Sequence, residues 1–345
     1  MASILAFLRR LLRFLGFGAA QPAPHAPPAS LPPPPPSLAP RPQELGGERP
    51  MPTTTLAMPQ LMALTGEFPT HGDGGTNAYF TLGMVQTFAG SLSAFGAPRT
   101  EGQELQLNNP PSNQALFSVL SINFGGDGIR TFGIPNLVGR AAIGGQQIGM
   151  FGQGTLTMAW LISTGPSTLA PVPGTLAMFG GNYAPDGWAF CDGSTLPIQL
   201  WVPLFQAIGT AFGGNGETIF LLPNLNGAAP VSAGQGPGRA PVTIGQQIPG
   251  AIPGLGINYL ISLEGPYPPA SGPGAFPDTG QYLGQVIAYG GASAPAGWAI
   301  CDGSLYPISA NMELFQLIGT TYGGDGKTNF ALPDLRGLMV TGLAG

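Results

Sequence analysis

The sequence predicts a mainly β protein in which three tandem modules, each with one short helix, close into a pseudo-threefold body. Three observations predict this fold class. A long string that begins at Pro295 recurs from Pro185 and, in eroded form, around Leu116. The 56 Gly and 39 Pro favour turns and short strands over long helices. The strand that ends the first two repeats is missing from the third and has a counterpart near Leu61.

Composition narrows the classes of function. Hydrophobic residues make up 43% of the chain, enough for a globular core, whereas charged residues make up only 8%. The net charge of −5 is spread thinly and no basic stripe runs through the repeats, which argues against nucleic-acid binding. The repeats contain no histidine, no Gly-x-Ser-x-Gly motif and no recurring close pair of acids. We therefore expect a protein that is not an enzyme and has no cofactor.

Residues 1–20 are a separate segment, for which the pattern predicts an amphipathic basic helix. Its two faces carry the basic residues Arg9, Arg10 and Arg13 and the apolar residues Leu8, Leu11, Leu12 and Leu15. Because the arginines interrupt the apolar run, the segment is too charged for a transmembrane span and unlike a secretory signal. We expect the helix to dock on a protein partner, with contact to a membrane surface and an atypical export signal as alternatives.

A proline-rich arm follows at residues 21–55, and the prolines from Pro32 to Pro36 are consecutive. Such a segment favours extended polyproline II, which rises about 3.1 Å per residue and is semi-rigid. The arm is either a plain spacer or the connection that carries the helix to a neighbouring subunit. We favour the second interpretation, because a stiff tether suits reach between molecules better than folding back.

The third repeat lacks the strand with which the first two repeats end, Trp160-Leu161-Ile162 and Tyr259-Leu260-Ile261. A matching string lies at residues 56–69, and we expect it to supply the missing strand. The residues predicted to close the ring are Leu61, Ala63, Leu64 and Phe68. Such closure leaves no dangling sheet edge, as in other closed β architectures.

The three modules are predicted to occupy residues 82–166, 174–268 and 284–345. Each opens with an apolar strand, continues through a short helix and a Gly-Gly-x-Gly loop, and reaches a Phe-x-x-Pro segment. Because proline lacks the backbone donor of a sheet ladder, this segment cannot be a central strand. The expected strands span residues 82–88, 175–179 and 285–289, and the expected helices span residues 114–119, 200–208 and 311–318.

A signature string runs through the second and third modules as Gly-Trp-Ala-x-Cys-Asp-Gly-Ser, followed by Gly-Gly-Asp/Asn-Gly and Phe-x-Leu-Pro-Asp/Asn-Leu. Its main members are Trp188, Cys191, Asp192, Gly193, Trp298, Cys301, Asp302, Gly303 and Arg336. The string resembles the phage tail collar domain and the similar bacterial proteins often called microcystin-dependent proteins. The first module departs from it, since Phe95-Gly96-Ala97 replaces Asp-Gly-Trp and Glu101-Gly102 replaces Asp-Gly.

The resemblance covers about residues 56–345 and implies both a fold and a role. In that family the domain is a structural part of phage tail fibres and is usually trimeric. Three copies in one chain are therefore similar to a covalently fused pseudo-trimer.

Four acids are candidates for the oxygen ligands of calcium, a hard cation that favours carboxylates; they are Asp127, Asp192, Asp302 and Asp325. The interpretation that we favour is that each carboxylate caps backbone amides in a Gly-containing turn, so that no metal is bound. The run Gly324-Asp325-Gly326-Lys327-Thr328 is not a phosphate-binding loop, because Thr321 stands where that motif requires glycine.

The two cysteines occupy equivalent positions in the second and third modules. Equivalent positions in a rotationally repeated structure seldom come within the roughly 7 Å that a disulfide needs between Cα atoms, so we expect two buried free thiols.

The only histidines are His25 and His71, which gives no zinc pattern. Trp188 and Trp298 are expected to pack in the core, with stacking on sugars as the alternative.

Together these features predict a non-enzymatic structural subunit of an extracellular filament or tail-fibre-like assembly, on a cell surface or a virion-like particle. The partner is another copy of the chain, joined head-to-tail through the helix and the arm. The alternative is a fibre-tip adhesin that binds a glycan, a receptor or a surface anchor through module loops, including the insertions at residues 227–256 and 270–280.

Overall fold

The computed structural model describes residues 55–343 apart from 65–67, 70–80, 91–99, 112, 146, 153, 165–170 and 267–280. The predicted helix of residues 1–20 and the arm up to residue 54 lie outside the described residues. So do His71, Phe95-Gly96-Ala97 and the insertion at residues 270–280. The described residues form mostly short β-strands, joined by three α-helices.

Two short strands precede the first module, β1 (Thr55–Met58) and β2 (Gln60–Met62). The first module consists of β3 (Met84–Phe88), β4 (Glu104–Gln106), α1 (Asn113–Leu120), β5 (Thr131–Gly133), β6 (Ala141–Gly144), β7 (Phe151–Gly152) and β8 (Thr155–Ser163). The second consists of β9 (Thr175–Phe179), β10 (Trp188–Phe190), β11 (Thr195–Pro197), α2 (Val202–Ile208), β12 (Ile219–Leu221), β13 (Ala229–Ser232), β14 (Gln247–Ile248) and β15 (Gly254–Ser262). The third consists of β16 (Gln285–Tyr289), β17 (Trp298–Ile300), β18 (Leu305–Pro307), α3 (Met312–Ile318), β19 (Asn329–Ala331) and β20 (Met339–Gly342).

The helix expected at residues 200–208 divides into a 3₁₀ turn at Ile198–Leu200 and the α-helix α2. Pro203 lies in the first turn of α2, where a missing amide donor leaves no hydrogen bond unmade. The Phe-x-x-Pro segments form the short strands β5, β12 and β19, which lie in two-stranded antiparallel sheets with β4, β11 and β18. Each proline follows its strand, so that none interrupts a ladder.

The opening strands of the three modules pair with one another in a closed triangle. Met84 in β3 faces Phe179 in β9. Thr175 in β9 faces Tyr289 in β16, and Gln285 in β16 faces Phe88 in β3. Each strand therefore uses its first half for one neighbour and its second half for the other, which is a cyclic pattern with pseudo-threefold symmetry.

A second ring of strands repeats the cycle. Residues at the ends of β6, β13 and β20 form parallel bridges to the module that follows, in the pairs Gly144–Asn226, Ser232–Arg336 and Gly342–Val138. The last of these pairs returns from the third module to the first. The second ring is therefore closed like the first.

The closing strands link the two rings. β8 and β15 each pair in parallel with their own module's strand, β6 and β13, and antiparallel with the opening strand of the next module. In the third module β1 takes the parallel place beside β20, and β2 takes the antiparallel place beside β3. The prediction that an N-terminal strand completes the third module is confirmed.

The core is continuous across the three modules. The strands β3, β9, β15 and β16 are buried along their whole length, because other parts of the body cover both of their faces. The helices bury residues spaced three and four apart, as in Leu116, Val119 and Leu120 of α1. Burial of these faces holds each helix against the strand rings.

Candidate functional site

The signature segments lie at the contacts between consecutive modules. The Cys191 amide donates to the Trp160 carbonyl at 2.8 Å, and the Cys301 amide donates to the Tyr259 carbonyl at 2.9 Å. In the first module the amide of Thr100 donates to the Gln60 carbonyl at 3.0 Å. Each signature therefore binds the closing strand of the preceding module, and in the first module that strand is the N-terminal β2.

The two signature tryptophans are packed rather than presented to a ligand. Trp188 faces Ser163 and Trp298 faces Ser262 across antiparallel pairs. Their side chains are buried, with relative exposures of 7% and 5%. Their rings therefore contribute apolar burial to the module contacts and offer no exposed face for stacking on a sugar.

Cys191 and Cys301 are free and buried. Burial is the main cause that raises the pKa of both thiols well above its ordinary value, and the neighbouring acids Asp192 and Asp302 add to the shift. The thiols stay protonated at neutral pH, because a buried thiolate lacks the solvation that stabilises its charge. They pack as small apolar side chains, as the repeat positions predicted.

The acids Asp192 and Asp302 order the turns that follow the signature strands. Asp192 Oδ1 accepts from the Ser194 amide at 2.9 Å and from its hydroxyl at 2.6 Å. Asp302 Oδ1 makes the same two bonds to Ser304, at 3.0 and 2.6 Å. The intervening residue, Gly193 or Gly303, has a φ near +80°, a conformation that glycine adopts without strain.

Asp127 and Asp325 occupy equivalent Gly-Gly-x-Gly loops. Asp127 Oδ1 accepts from three successive amides, those of Ile129, Arg130 and Thr131, at 2.7–2.9 Å. These backbone donors lower the pKa of Asp127 to about 2, because they stabilise the charged form. At Asp325 a hydrogen bond from the Thr328 hydroxyl is the largest cause of a lowered pKa, and backbone amides add to it.

The four calcium candidates are thus each used as a local acceptor of turn amides. Within the described ranges no group of three or more His, Cys, Asp or Glu side chains lies close enough to hold a metal ion. The loop of the second module has Asn215 in place of the acid, and its Oδ1 accepts from three amides in the same way. In the second module a neutral amide oxygen therefore accepts the three hydrogen bonds that a carboxylate accepts in the first.

Arg336 ties the second and third modules together. Its guanidinium forms a two-point ion pair with Asp334, with Nε and Nη2 each 2.9 Å from a carboxylate oxygen. The hydrogen bond from Arg336 is the main cause of a lowered pKa at Asp334. Arg239, from the 227–256 insertion of the second module, donates to the Arg336 carbonyl at 2.8 Å. That insertion is not a single loop, because it contains the strands β13 and β14 and the start of β15.

The ring-closure residues are divided between the seam and its surroundings. We call the contacts of β1 and β2 with β20 and β3 the seam. Leu61 is fully buried, and Ala63 exchanges backbone hydrogen bonds of 2.9 Å with Met84 and Gly83. Leu64 packs against the core, whereas Phe68 lies outside both strands with 51% of its surface exposed. Phe68 is therefore not part of the closing strand.

A cavity of about 20 Å³ lies on the pseudo-threefold axis between the two strand rings. Its lining includes the equivalent residues Gln60, Trp160 and Tyr259 of the three closing strands. The Trp160 indole donates to the Ala142 carbonyl at 3.1 Å, but Gln60 Oε1 is buried and has no hydrogen-bond partner in the described part of the chain. The module comparison could have located this layer, since polar Gln60 stands where the other modules carry aromatic residues.

The second module carries an exposed apolar patch that the sequence reasoning missed. Leu200 ends the 3₁₀ turn before α2, Val202 is the first residue of α2, and Ile219 begins β12. All three are exposed, and Leu200 is 70% exposed. We call this region the second lobe. A signal was available in the repeat comparison, because the third module carries Ala310 and Asn329 at two of these three positions.

The residues predicted to mediate assembly lie outside the described residues; they are Leu8, Leu11, Leu12, Leu15, Arg9, Arg10, Arg13, Pro32 and Pro36. In the part of the chain that the structure describes, no helix is long and apolar enough to cross a membrane.

A family model described as the phage tail collar domain matches the chain three times, at residues 83–142, 174–230 and 284–340. The matched segments together make up half of the chain. The comparisons with curated proteins and with solved structures found no match.

Proposed function

Because the chain belongs to the phage tail collar domain family, whose domain is a structural element of tail fibres, we propose that it is the structural subunit of an extracellular filament. One subunit joins the next head-to-tail, through its N-terminal helix and proline-rich arm. The chain transforms no substrate, and its main partner is another copy of itself. A contact of this kind uses two different surfaces and does not close on itself, so it builds a fibre.

The closed ring is the observation that supports this proposal. In the described residues all three closing positions are filled by the same chain, which makes the body equivalent to a complete trimer. Growth of a fibre therefore needs contacts outside the ring. The arm is suited to such contacts, since a proline-rich segment is extended and semi-rigid. It can hold the amphipathic helix away from the body of its own chain.

Negative-stain microscopy and light scattering of the full chain test the proposal. We expect filaments from the natural chain and single bodies from Leu8→Glu/Leu12→Glu, because two charges on the apolar face prevent docking in an apolar groove. The control Arg9→Gln/Arg13→Gln changes the opposite face and should still form filaments. Filaments of Leu8→Glu/Leu12→Glu at unchanged length, or no filaments of the natural chain at any concentration, would contradict the proposal.

A second candidate function, a fibre tip that binds a glycan or receptor, is supported by the exposed apolar residues of the second lobe. Exposed apolar side chains on a rigid frame are typical of contact surfaces. In this case glycan arrays probed with the full chain should give binding that Leu200→Ser/Val202→Ser abolishes. Leu305→Ser, an exposed apolar position in the third module, is the matched control and should bind normally.

A further inference from the structure

In the first two modules the outer edge of the closing strand is covered by a short antiparallel strand. Thr157 of β8 donates to the Met150 carbonyl and accepts from the Gly149 amide, both at 2.9 Å. In the second module Gly256 of β15 donates to the Gln246 carbonyl and accepts from the Gly245 amide, both at 2.8 Å. The strands β7 and β14 continue this cover along the edge.

Among the described residues, no strand covers the same edge in the third module. The register of β1 on β20 places Ala57 opposite Thr341, which makes Ala57 the equivalent of Thr157 and Gly256. Ala57 is exposed, and neither of its backbone groups has an equivalent partner among the residues that the structure describes. An open strand edge of this kind is a template for pairing with a further strand.

The sequence just before β1 repeats the spacing of the covering strand in the second module. There, Gly245 is followed by Pro249 and then by Gly254, the first residue of β15. Before β1, Gly46 is followed by Pro50 and then by Thr55 at the same intervals. The glycine matters, because Gly245 has a φ of +79° and a Cβ added there would lie 1.9 Å from the Ala211 carbonyl oxygen.

The first module sets the same requirement. Gly149 has a φ of +84°, and a Cβ there would lie 1.8 Å from the carbonyl oxygen of Asn123. Asn123 and Ala211 hold equivalent places after their helices, and Thr321 holds that place in the third module. The next residue in the covering segment is Met150 or Gln246, so a side chain is tolerated there. Gly46 therefore matches the constrained position and Gly47 the tolerant one.

We propose that residues 46–49 pair antiparallel with the outer edge of β1 in the same chain. The Ala57 amide donates to the Gly47 carbonyl, and the Gly46 amide donates to the Ala57 carbonyl. Residues 50–54 make the connection, which has the same length as residues 249–253 between β14 and β15. Pairing within one chain is favoured over pairing between chains, since so short a connection gives a high effective concentration.

This pairing has a consequence for assembly. The folded body then begins at Gly46, and the proline-rich arm ends at residue 45, next to β1. The pairing is independent of whether the arm forms filaments.

Hydrogen exchange of the Ala57 amide tests the proposal, with Gly46→Ala and Gly47→Ala compared in the full chain. We expect Gly46→Ala to speed exchange of this amide by at least about tenfold, because a Cβ is strained at positive φ and meets backbone. Gly47→Ala should leave the exchange rate unchanged. Gly245→Ala gives the reference, since it should release the Gly256 amide in the second module by a similar factor.

Three results would overturn the proposal. The first is an Ala57 amide that exchanges freely in the natural chain. The second is an equal effect of Gly46→Ala and Gly47→Ala. The third is protection of the Ala57 amide that rises with protein concentration, which would assign the edge to a strand from a second copy. The exchange rates of the Ala57 amide do not depend on whether filaments form. The strand-pairing proposal and the filament proposal can therefore fail separately.

Discussion

The N-terminal strands β1 and β2 of the seam and the strand β15 of the second module occupy equivalent places in the ring, but they differ in continuity and burial. β15 is one unbroken strand of nine residues, and all nine are buried. Its counterpart is divided into β1 and β2 by Pro59, and Ala57 is exposed. The pairing register is nevertheless the same in both places. The symmetry of the ring is therefore set by which residues pair, and its local stability by how well each strand is formed and covered.

The difference has two physical causes. Proline has no amide hydrogen, so Pro59 cannot donate where Ala159 and Asn258 can. The seam also joins segments from opposite ends of the body, whereas β15 follows β13 closely in the chain. Closing a longer loop costs more entropy. The seam is therefore expected to open before the equivalent contacts of β8 and β15 with their neighbouring strands.

The largest expected effect comes from removing the best-packed side chain of the seam. Leu61→Ala should lower the free energy of unfolding by about 2–5 kcal/mol, because it leaves a cavity in a fully buried site. Phe68→Ala is the matched control at an exposed position and should change it by less than about 0.5 kcal/mol. Denaturant unfolding measures both. A loss below about 1 kcal/mol for Leu61→Ala would mean that the seam is not packed like the other junctions.

The second prediction concerns Gln60, which lines the cavity on the pseudo-threefold axis. Gln60→Leu should raise the free energy of unfolding by about 1–2 kcal/mol, since it removes a buried acceptor with no partner in the described residues. Gln285→Leu should do the opposite, because it breaks the 2.8 Å hydrogen bond to Gln86 Oε1. Thermal unfolding of both variants is the measurement. Destabilisation by Gln60→Leu would show that its side-chain oxygen is satisfied, for example by a water in the axial cavity.

Repair of the strand break should have a smaller net effect. Pro59→Ala restores an amide that can donate in the ladder, worth about 0.5–1.5 kcal/mol, but it also frees the unfolded chain by about 0.4–1 kcal/mol. The net change in stability should stay within about 1 kcal/mol, while the new amide becomes protected from exchange. If that amide exchanged as fast as in an unfolded peptide, the division between β1 and β2 would have a cause other than Pro59.

The smallest effect is local and depends on pH. The pKa of Asp127 is lowered to about 2 in the folded chain, so its turn is stabilised above the unfolded pKa and loses that stability as pH falls from about 4 to about 2. The second module has Asn215 at this place, which does not titrate. Amides 129–131 should lose protection over this range, while amides 217–219 keep theirs. Equal loss in both loops would mean that the carboxylate charge does not hold the turn.

Much of the fold follows from internal comparison of the sequence. The three repeats, the opening strands at residues 175–179 and 285–289, and the missing closing strand could all be read from aligned strings. The covering strands β7 and β14 could not, because each has only two residues and owes its pairing to a neighbouring edge rather than to its own pattern.

The candidate site was harder to predict for a related reason. The signature residues were found, but their role depends on contacts between modules, such as the Cys301 amide with the Tyr259 carbonyl. The exposure of Leu200 has no periodic signal, since it lies in a 3₁₀ turn whose packing is decided by the rest of the module. The axial cavity likewise needs all three closing strands in place at once.

The measurement that tests ring closure most directly is hydrogen exchange of the β20 amides after deletion of residues 55–62 from the full chain. Without β1 and β2 the third module loses its parallel partner, so the amides of residues 339–342 should exchange at least about a hundredfold faster. The amides of β13, whose own closing strand is intact, should keep most of their protection. Unchanged exchange at residues 339–342 would contradict the account, because β20 would then be held without the N-terminal strand.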